Sequence, residues 1–487
     1  MTVTSSPTAG CLSTPREELR TLLLECQIGS DGALDDETPL ISSGLLDSLA
    51  LFRVALWVEA QIGNPVNPSS FNVAEEWDSI QLILAFIDRA ASGRKAVMSR
   101  GRTASIPLQA GPSRIIQYTP DYKQAVAQLQ TNLWCPDSRR NLQYLEWKYE
   151  RNPCSARSYI YLALDGDEVV GMRGFHPSRW ESSHFGSHDF LVADDSVVRP
   201  DHRNQGVTNQ IMRDAMRSLS ERDIDYVFNF SGSPVTVLTS LAMGWRSIGE
   251  VEPVRRRSRM AKIKAGVRYS MAAMPFVWRF ASSGRTLSRR EYNPFLRVDQ
   301  RLEGTVTNRG RRVRISQLPR PEQMAQLIRT NHHDGRIRLV RDAAYLKWRF
   351  ENPLQEYRFF YLEGARLDGY LVVKRNAATD EPSPVVHIVD LEAKDDESKL
   401  ALLEAASDSH LFDSIVVWSA TLPRPCQELL ATLEFAPMET STALQGHPRL
   451  LVRATDEAQL PDDWCLHGVR LTDITNWDMR MIYSMAG

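Results

Sequence analysis

The chain lacks the features that mark disulfide-stapled, zinc-bound or membrane-spanning proteins. Its six cysteines are scattered over 487 residues without a CxxC pair, which argues against a disulfide framework and a zinc ribbon. No run of about 18 uninterrupted apolar residues occurs, so no membrane span is predicted. The first ten residues, MTVTSSPTAG, lack the basic and then apolar pattern of a signal peptide. These absences predict a cytoplasmic protein.

The charge of the chain is divided unevenly. Its net charge is −2, but residues 1–92 hold 13 acidic and 4 basic side chains, and the remainder holds 47 acidic and 54 basic ones. An acidic N-terminal part is therefore expected to attract a basic body. Two basic clusters are candidate surfaces for this contact or for coenzyme A: Arg255, Arg256, Arg257, Arg259, Lys262 and Lys264, and Arg309, Arg311, Arg312 and Arg314. No nucleic-acid module accompanies them, so no nucleic-acid partner is expected.

The hexapeptide GLLDSL, at 44–49, stands where a polar loop gives way to the apolar run LALFRVALWVEAQIG. This change predicts that Ser48 lies at a helix N-terminus. Backbone N–H groups and the helix dipole there favour an attached phosphodiester, and Asp47 is placed to help hold a magnesium ion during its attachment. The plainer alternative is that Asp47 and Ser48 only cap the helix.

The flanking segments predict an amphipathic first helix in TPREELRTLLLECQIG and a last one in NVAEEWDSIQLILAFIDRA. With the motif at 44–49, this layout over residues 12–91 resembles an acyl or peptidyl carrier domain, whose serine in a GxDSL motif carries 4'-phosphopantetheine. The resemblance implies covalent modification of Ser48 by a phosphopantetheinyl transferase. It also implies partner enzymes that activate or modify the acyl group on the carrier.

An internal repeat follows a polar, basic stretch rich in Gly and Pro, which is typical of a flexible tether. NLQYLEWKYERNP at 141–153 matches DAAYLKWRFENPL at 342–354, and both precede an extended aromatic segment. The repeat predicts two copies of one α/β domain. The apolar positions of both motifs are expected in the cores: Tyr144, Leu145, Trp147, Tyr345, Leu346 and Trp348.

In the first copy, the strand DFLVADDSVVRP runs through the turn RNQGVT at 203–208 into an amphipathic helix. A strand, a glycine turn and a helix N-terminus together present backbone N–H groups to one point, which suits a pyrophosphate. This region resembles the GNAT superfamily of acyltransferases, whose Q/RxxGxG/A loop wraps the pyrophosphate of coenzyme A. The resemblance assigns cofactor binding to Val198, Arg203, Asn204, Gln205, Gly206, Val207 and Thr208, with Thr208 in place of the usual small residue.

GNAT chemistry is the attack of an amine on a thioester, which requires a base for the ammonium proton. The family usually places this carboxylate on the fourth strand, where Asp194 and Asp195 stand as candidates. Strand alternation predicts that one of them faces the groove and the other faces away. The tyrosine that often acts as the general acid is replaced by Ser240, which is a candidate acting through a water or an ordinary helix serine.

The second copy has AKDDES where the first has RNQGVT. An acidic segment is unsuited to a pyrophosphate, so loss of the coenzyme A site is predicted there. The adjacent His332, His333 and Asp334 are interpreted as a polar loop and not as a metal site.

The predicted fold is multidomain: an all-α four-helix carrier domain followed by two α/β GNAT-fold domains with mixed, mainly antiparallel sheets. The predicted boundaries are 1–92 for the carrier, 93–113 for a flexible linker, 114–255 for the first GNAT domain, 256–312 for a basic connector and 313–487 for the second, degenerate GNAT domain.

The predicted activity is acyl transfer from phosphopantetheine on Ser48 to the amine of a small-molecule acceptor, in natural-product biosynthesis. One alternative is a loading enzyme that moves an acyl group from acyl-CoA to its own carrier arm. Another is a non-catalytic carrier and docking scaffold.

Overall fold

The structure is a computed structural model. It describes residues 14–26, 28, 34–92, 113–155, 157–203, 205–230, 234–258, 295–299, 305–306, 310–331, 334–376, 385–407, 411–438, 449–456 and 463–485. The predicted linker and most of the basic connector lie outside these ranges, as do Asn204, His332 and His333. Within them, no helix combines the length and apolar character that crossing a membrane requires.

The N-terminal residues form four helices, which we call the helical unit. They are α1 (Pro15–Glu25), α2 (Ser48–Ile62), α3 (Val73–Glu76) and α4 (Ile80–Ala91). Helix α1 starts in a capping box, in which Thr14 and Glu17 each bond the other's backbone N–H. Helix α2 ends at Gly63, whose φ of 71° is the left-handed conformation that commonly closes a helix. Between α1 and α2, the described residues 34–47 form turns and bends without a helix or a strand.

The next part of the chain alternates strands and helices. Its elements are β1 (Arg114–Gln117), α5 (Lys123–Leu129), α6 (Ser138–Leu145), β2 (Tyr159–Asp165), β3 (Glu168–Ser182), β4 (Gly186–Val198), α7 (Val207–Ser220), β5 (Tyr226–Asn229), α8 (Pro234–Ala242) and β6 (Arg246–Glu250). A π-helical turn, Glu146–Glu150, continues α6.

The rest of the chain repeats this rhythm. Its elements are β7 (Pro253–Arg257), α9 (Leu296–Asp299), β8 (Thr305–Val306), β9 (Arg312–Ser316), α10 (Pro321–Thr330), β10 (Arg338–Leu339), α11 (Ala343–Phe350), β11 (Gln355–Glu363), β12 (Leu367–Asn376), β13 (Val385–Ala393), α12 (Asp396–Ala406), β14 (Ser414–Trp418), α13 (Arg424–Thr432), β15 (Ala436–Pro437), β16 (Arg449–Ala454), β17 (Cys465–Leu466) and β18 (Val469–Arg470).

Two large sheets result, which confirms the prediction of an α/β fold with mixed, mainly antiparallel sheets. The first has the order β1-β2-β3-β4-β5-β16-β6, with β10 also paired to β3, and the second has the order β15-β7-β14-β13-β12-β11-β9-β8. The parallel pairs are β4 with β5 in the first sheet and β13 with β14 in the second.

The two sheets exchange a strand. Strand β16, near the C-terminus, lies between β5 and β6 of the first sheet, whereas β7 lies between β14 and β15 of the second. The boundaries predicted at 255 and 313 therefore do not divide the chain into two self-contained sheets. Each sheet is completed by a strand from the other half, so we expect the two halves to fold as one cooperative body.

The repeated motifs meet face to face. The indole rings of Trp147 and Trp348 stack with centroids 4.8 Å apart. Each indole Nε1 donates to the other residue's carbonyl oxygen at 2.6 Å. The six predicted core positions are buried, as expected, and these two tryptophans place them at the contact between the halves.

Candidate functional site

The turn between β4 and α7 has the geometry of an anion-binding loop. Gly206 precedes the first residue of α7 with a φ of 71° and offers no side chain to cap the helix. The first N–H groups of a helix need an acceptor, so an uncapped start favours an external anion. Arg203 and Gln205 are exposed beside it, and Thr208 is half-buried in the first turn.

Strands β4 and β5 separate next to this turn. Their parallel pairing is short: Leu191 pairs with Val227 and Val192 with Phe228, whereas β4 continues to Val198 and β5 ends at Asn229. The carboxyl ends of these strands form the edge at which open α/β sheets usually bind ligands. The structure brings Val198, at the end of β4, to the same edge as Gly206.

Asp194 and Asp195 lie at a bulge in β4. Gly174 of β3 pairs with Asp194 and Arg173 with Ser196, so Asp195 is the extra residue, and its φ is 43°. The Nζ of Lys148 donates to both carboxylates, at 2.7 Å to Asp194 and 2.8 Å to Asp195. The predicted alternation is therefore wrong, because the bulge turns both carboxylates toward one lysine.

The two carboxylates differ in their surroundings. Asp195 is fully enclosed and also accepts hydrogen bonds from Tyr149 Oη at 2.8 Å, Trp134 Nε1 at 2.9 Å and Gln130 Nε2 at 3.2 Å. Burial raises the pKa of Asp195, although Lys148 opposes this change. The side chain of Asp194 keeps 11% of its exposure. Of the two, Asp194 is the one that a ligand can reach.

Lys148 is a site residue that the sequence analysis missed. It lies in the π-helical turn after α6 and its side chain has no exposure to solvent. Burial works against its charge, but Asp194 and Asp195 outweigh this effect and hold the pKa of Lys148 well above its ordinary value. Burial opposes the charge of Asp194 in the same way, and the Lys148 ammonium again prevails and lowers the pKa of Asp194. In the sequence, Lys148 stands out as a lysine between two aromatic core residues, Trp147 and Tyr149.

His176 is a second missed residue. It is buried, and its Nδ1 has no hydrogen-bond partner. Burial, followed by repulsion from Lys148, lowers its pKa to about 3. The imidazole is therefore neutral at physiological pH.

Arg173 is a buried guanidinium without a full set of partners. It is 5% exposed, and its Nε and Nη2 have no hydrogen bond. Burial lowers its pKa. It shares a face of β3 with Gly171, whose Cα lies so close to α7 that an added Cβ would be 3.1 Å from Val207 Cγ1. Asp194 and Asp195 favour its charge, but buried N–H groups without an acceptor are costly, so an anionic group is the ligand that this position suits.

Ser240 lies on α8 where the sequence placed it, four residues before Gly244. It is buried, and its carbonyl oxygen accepts from the N–H groups of Met243 and Trp245 at the end of the helix.

Ser48 is the first residue of α2 and is half-buried. Asp47 caps this helix, since its carboxylate accepts from the Ala50 N–H at 2.7 Å. The cap therefore rests on Asp47, and the Ser48 hydroxyl is not part of it. Next to it, Leu49 is 61% exposed, which is unusual for a leucine of a packed helix.

The helical unit contacts the β4–α7 turn directly. A Cβ added to Gly44 would lie 2.7 Å from Gly206 Cα, and Asn209 Nδ2 donates to the Ile41 carbonyl at 3.1 Å. Behind this contact, α2 packs on α8 within one apolar core.

At the far end of this interface, Arg449 of β16 donates to Asn67 Oδ1 at 3.0 Å and to Ser69 Oγ at 2.5 Å. The described contact is thus apolar and hydrogen-bonded, and differs from the predicted docking on basic clusters. Arg255–Arg257, the described part of one of those clusters, lies instead in β7 of the second sheet.

Residues 124–233 match the acetyltransferase (GNAT) family. The matched segment runs from α5 through β2–β5 and α7, and thus contains the bulge and the turn. It confirms the prediction of a GNAT-type N-acyltransferase at the level of the family.

Several solved structures each match about 70% of this chain. A probable N-acyltransferase from Enterococcus faecalis V583 is 12% identical, with 70% of this chain and 73% of that one covered and a TM-score of 0.45. A GCN5-related N-acetyltransferase from Kribbella flavida is 13% identical, with 71% of both chains covered and a TM-score of 0.42. A tandem GNAT protein from the clavulanic acid biosynthesis pathway is 10% identical, with 71% and 99% covered and a TM-score of 0.43. No curated protein matches the chain.

The C-terminal part of the chain, outside the GNAT match, has a cluster of buried ion pairs next to a cavity. Buried Arg341 pairs with Asp390 at 2.6 Å and with Glu392 at 2.8 Å, and Arg480 bonds the same two carboxylates. A cavity of about 130 Å³ lies beside them, between β13 and β14. Helix α12 starts with Asp395, whose carboxylate accepts from the Ser398 N–H at 2.8 Å. This helix start is already capped by an anion of its own chain.

Proposed function

We propose that the helical unit is an acyl carrier domain and that the GNAT domain transfers an acyl group from its arm to the amine of a small acceptor. The donor would be a thioester of 4'-phosphopantetheine attached to Ser48. The observation that carries this proposal is the contact between the loop before Ser48 and the β4–α7 turn, at Gly44 and Gly206. Ser48 follows Gly44 by four residues, so this contact supports a position of Ser48 near the predicted donor loop.

The surroundings of the turn fit a phosphate-bearing arm. Gly206 leaves the start of α7 uncapped, and Arg173 offers unpartnered N–H groups under the same helix. Both features favour an anion. When bound, the arm would supply the activated acyl thioester, and these groups would position it.

The transfer requires a carbon–nitrogen bond to form at the thioester carbonyl while the carbon–sulfur bond breaks. The proton of the attacking amine must pass to a base, and the thiolate of the arm must leave. We assign the base to Asp194, because it is ionised by Lys148 and retains exposure. Asp195 is enclosed by four donors, which suits it to holding Lys148 in place. We assign no step to Ser240.

The first experiment tests the carrier. Co-expression with a phosphopantetheinyl transferase should raise the intact mass by one phosphopantetheinyl group. Ser48→Ala should abolish the change, whereas Ser43→Ala, in the same loop, should retain it. A mass increase that persists in Ser48→Ala would remove the carrier from the proposal.

The second experiment tests the direction of transfer. An acyl group preloaded on the arm should be lost only when an amine is added, with an amide as the product. If the holo protein instead acylates its own arm from acyl-CoA without an amine, the loading function is correct. The absence of both reactions over a broad acyl panel would favour the docking scaffold.

The third experiment tests the base. Asp194→Asn should lower the amine-dependent rate by about 100-fold, the lower end of the usual contribution of a general base. Asp189→Asn is the matched control, because Asp189 lies on the same strand, is half-exposed and pairs only with Arg179 in the described structure. Equal rates in the two variants would exclude Asp194 as the base.

A further inference from the structure

Residues 41–44 of the helical unit cover the start of α7. Gly44 approaches Gly206 so closely that a single methyl group on Gly44 would lie 2.7 Å from Gly206 Cα. The Ser43 carbonyl oxygen would lie 3.4 Å from a Cβ on Gly206. Asn209, in the first turn of α7, is bonded to the Ile41 carbonyl. The place that a pyrophosphate would take is therefore bordered by backbone of the helical unit.

We propose that the docked helical unit selects the donor by excluding the nucleotide part of coenzyme A from the β4–α7 turn. This inference rests on the proposed function, because it takes the turn as the phosphate site of the GNAT domain. Coenzyme A has a pyrophosphate and an adenosine that must pass residues 41–44. A phosphopantetheine on Ser48 has one phosphate and starts on the docked side.

The reach of the chain agrees with this selection. Ser48 follows Gly44 by four residues, which limits the distance between their Cα atoms to about 14 Å. An arm attached there enters from beside the turn and leaves the contact between Gly44 and Gly206 in place. The same contact thus admits one donor and blocks the other.

The docking is anchored at both ends of the interface, so the loop does not carry it alone. Helix α2 shares an apolar core with α8, and Arg449 bonds Asn67 and Ser69 on the far side. Burial of such a shared core stabilises the docked position of the unit. Loosening either end should therefore open the turn to coenzyme A.

The test is a calorimetric titration of coenzyme A into the full-length, unmodified protein. Gly44→Ala adds a methyl group at the contact and should push the unit away from the turn. Gly63→Ala is its matched control, since Gly63 lies in the same unit with a φ of 71°, close to the 76° of Gly44, but has no neighbour within 4 Å. Both variants carry the same backbone strain, and only one carries the clash.

We expect coenzyme A to bind Gly44→Ala at least about tenfold more tightly than the wild type, and Gly63→Ala to match the wild type. Equal affinities in Gly44→Ala and the wild type would overturn the exclusion. The mass of the Ser48 adduct is measured separately, so that result would leave the carrier function standing. Conversely, an unmodified Ser48 with tighter binding in Gly44→Ala would retain the exclusion and remove the carrier.

A second variant keeps the test decisive if Gly44→Ala does not fold. Arg449→Ala removes the bonds to Asn67 and Ser69, which lie away from the turn, and should also tighten coenzyme A binding. Glu250→Gln is its control, because it changes the other partner of Arg449 and leaves those two bonds. No difference between these two variants would overturn the proposal.

Discussion

The two halves of the chain place corresponding tryptophans, Trp147 and Trp348, at their contact, but the residue after each tryptophan has a different role. After Trp147, Lys148 holds the two carboxylates at the bulge of β4. After Trp348, Arg349 donates to the carbonyl oxygens of Ile482 and Ser484, each at 3.0 Å. The first half thus directs its buried cation to a candidate site. The second half directs it to the packing of the C-terminal segment.

The same contrast appears where the fourth strand of each half leads into a helix. Helix α7 starts at Gly206 without a capping side chain, whereas α12 starts with the carboxylate of Asp395, followed by Asp396 and Glu397. The Asp395 carboxylate already binds the N-terminus of α12, and the neighbouring carboxylates would repel a second anion there. This difference supports the predicted loss of coenzyme A binding in the second half. It also indicates that an anion site at a helix N-terminus depends on N–H groups that no capping side chain of the protein satisfies.

The buried guanidinium groups complete the comparison. Arg341 in the second half is matched by Asp390 and Glu392, while Arg173 in the first half has unpartnered nitrogens. A closed ion-pair cluster supports a structure, and an open one offers a place for an anionic ligand. This division between an open half and a closed half implies different responses to matched substitutions in the two halves.

The largest effect is expected from Lys148→Met. The change leaves the buried carboxylates of Asp194 and Asp195 without their cation, so the free energy of unfolding should fall by about 3–5 kcal/mol. Chemical denaturation at neutral pH measures it. The Lys148 side chain is fully buried, so bulk water cannot compensate for the lost charge. A loss below about 1 kcal/mol would show that the cluster does not depend on this lysine.

The next effect is expected from Gly206→Asp, which gives α7 the acidic start of α12. Aspartate tolerates the left-handed backbone better than most residues, so the protein should fold. The added carboxylate should repel the donor phosphate and lower acyl transfer from the arm by about 100-fold. Gly310→Asp, at a φ of 69° in open space in the second half, is the control. Similar rates in the two variants would place donor binding elsewhere.

A smaller effect is expected from Lys374, whose protonation should differ from that of Lys148. Burial lowers the pKa of Lys374, in the second half, to about 7, whereas Lys148 keeps its charge. Between pH 7 and its ordinary pKa of 10.5, the folded protein therefore binds fewer protons at Lys374 than the unfolded chain does. Stability should rise with pH over this window because of this group.

Lys374→Met should remove that rise, which amounts to about 2 kcal/mol between pH 7 and pH 9, and should increase the free energy of unfolding at pH 7. Denaturant unfolding of both proteins at pH 7 and pH 9 provides the measurement. An unchanged pH dependence in the variant would mean that Lys374 keeps its proton in the folded state.

The sequence predicted the helices, the two sheets and the turn, because each depends on local periodicity or on a repeat. It did not predict the strand exchange, since the local pattern of PVRRR at 253–257 does not indicate which sheet it joins. It also missed the bulge at Asp195, which depends on the register between β3 and β4, and the burial of Lys148 beside it. The contact between Gly44 and Gly206 joins two domains that no local pattern connects.

The smallest effect is expected from Arg173→Met. A methionine of similar length removes a buried charge whose Nε and Nη2 have no partner, so the free energy of unfolding of the unmodified protein should rise by about 1 kcal/mol. Arg349→Met is the opposite case, because it removes a guanidinium that bonds two carbonyl oxygens and the Tyr357 hydroxyl, and it should lower the stability. Thermal unfolding without a ligand compares the two variants. If Arg173→Met also lowers the melting temperature, then Arg173 supports the folded structure, and the first half is not more open to an anion than the second.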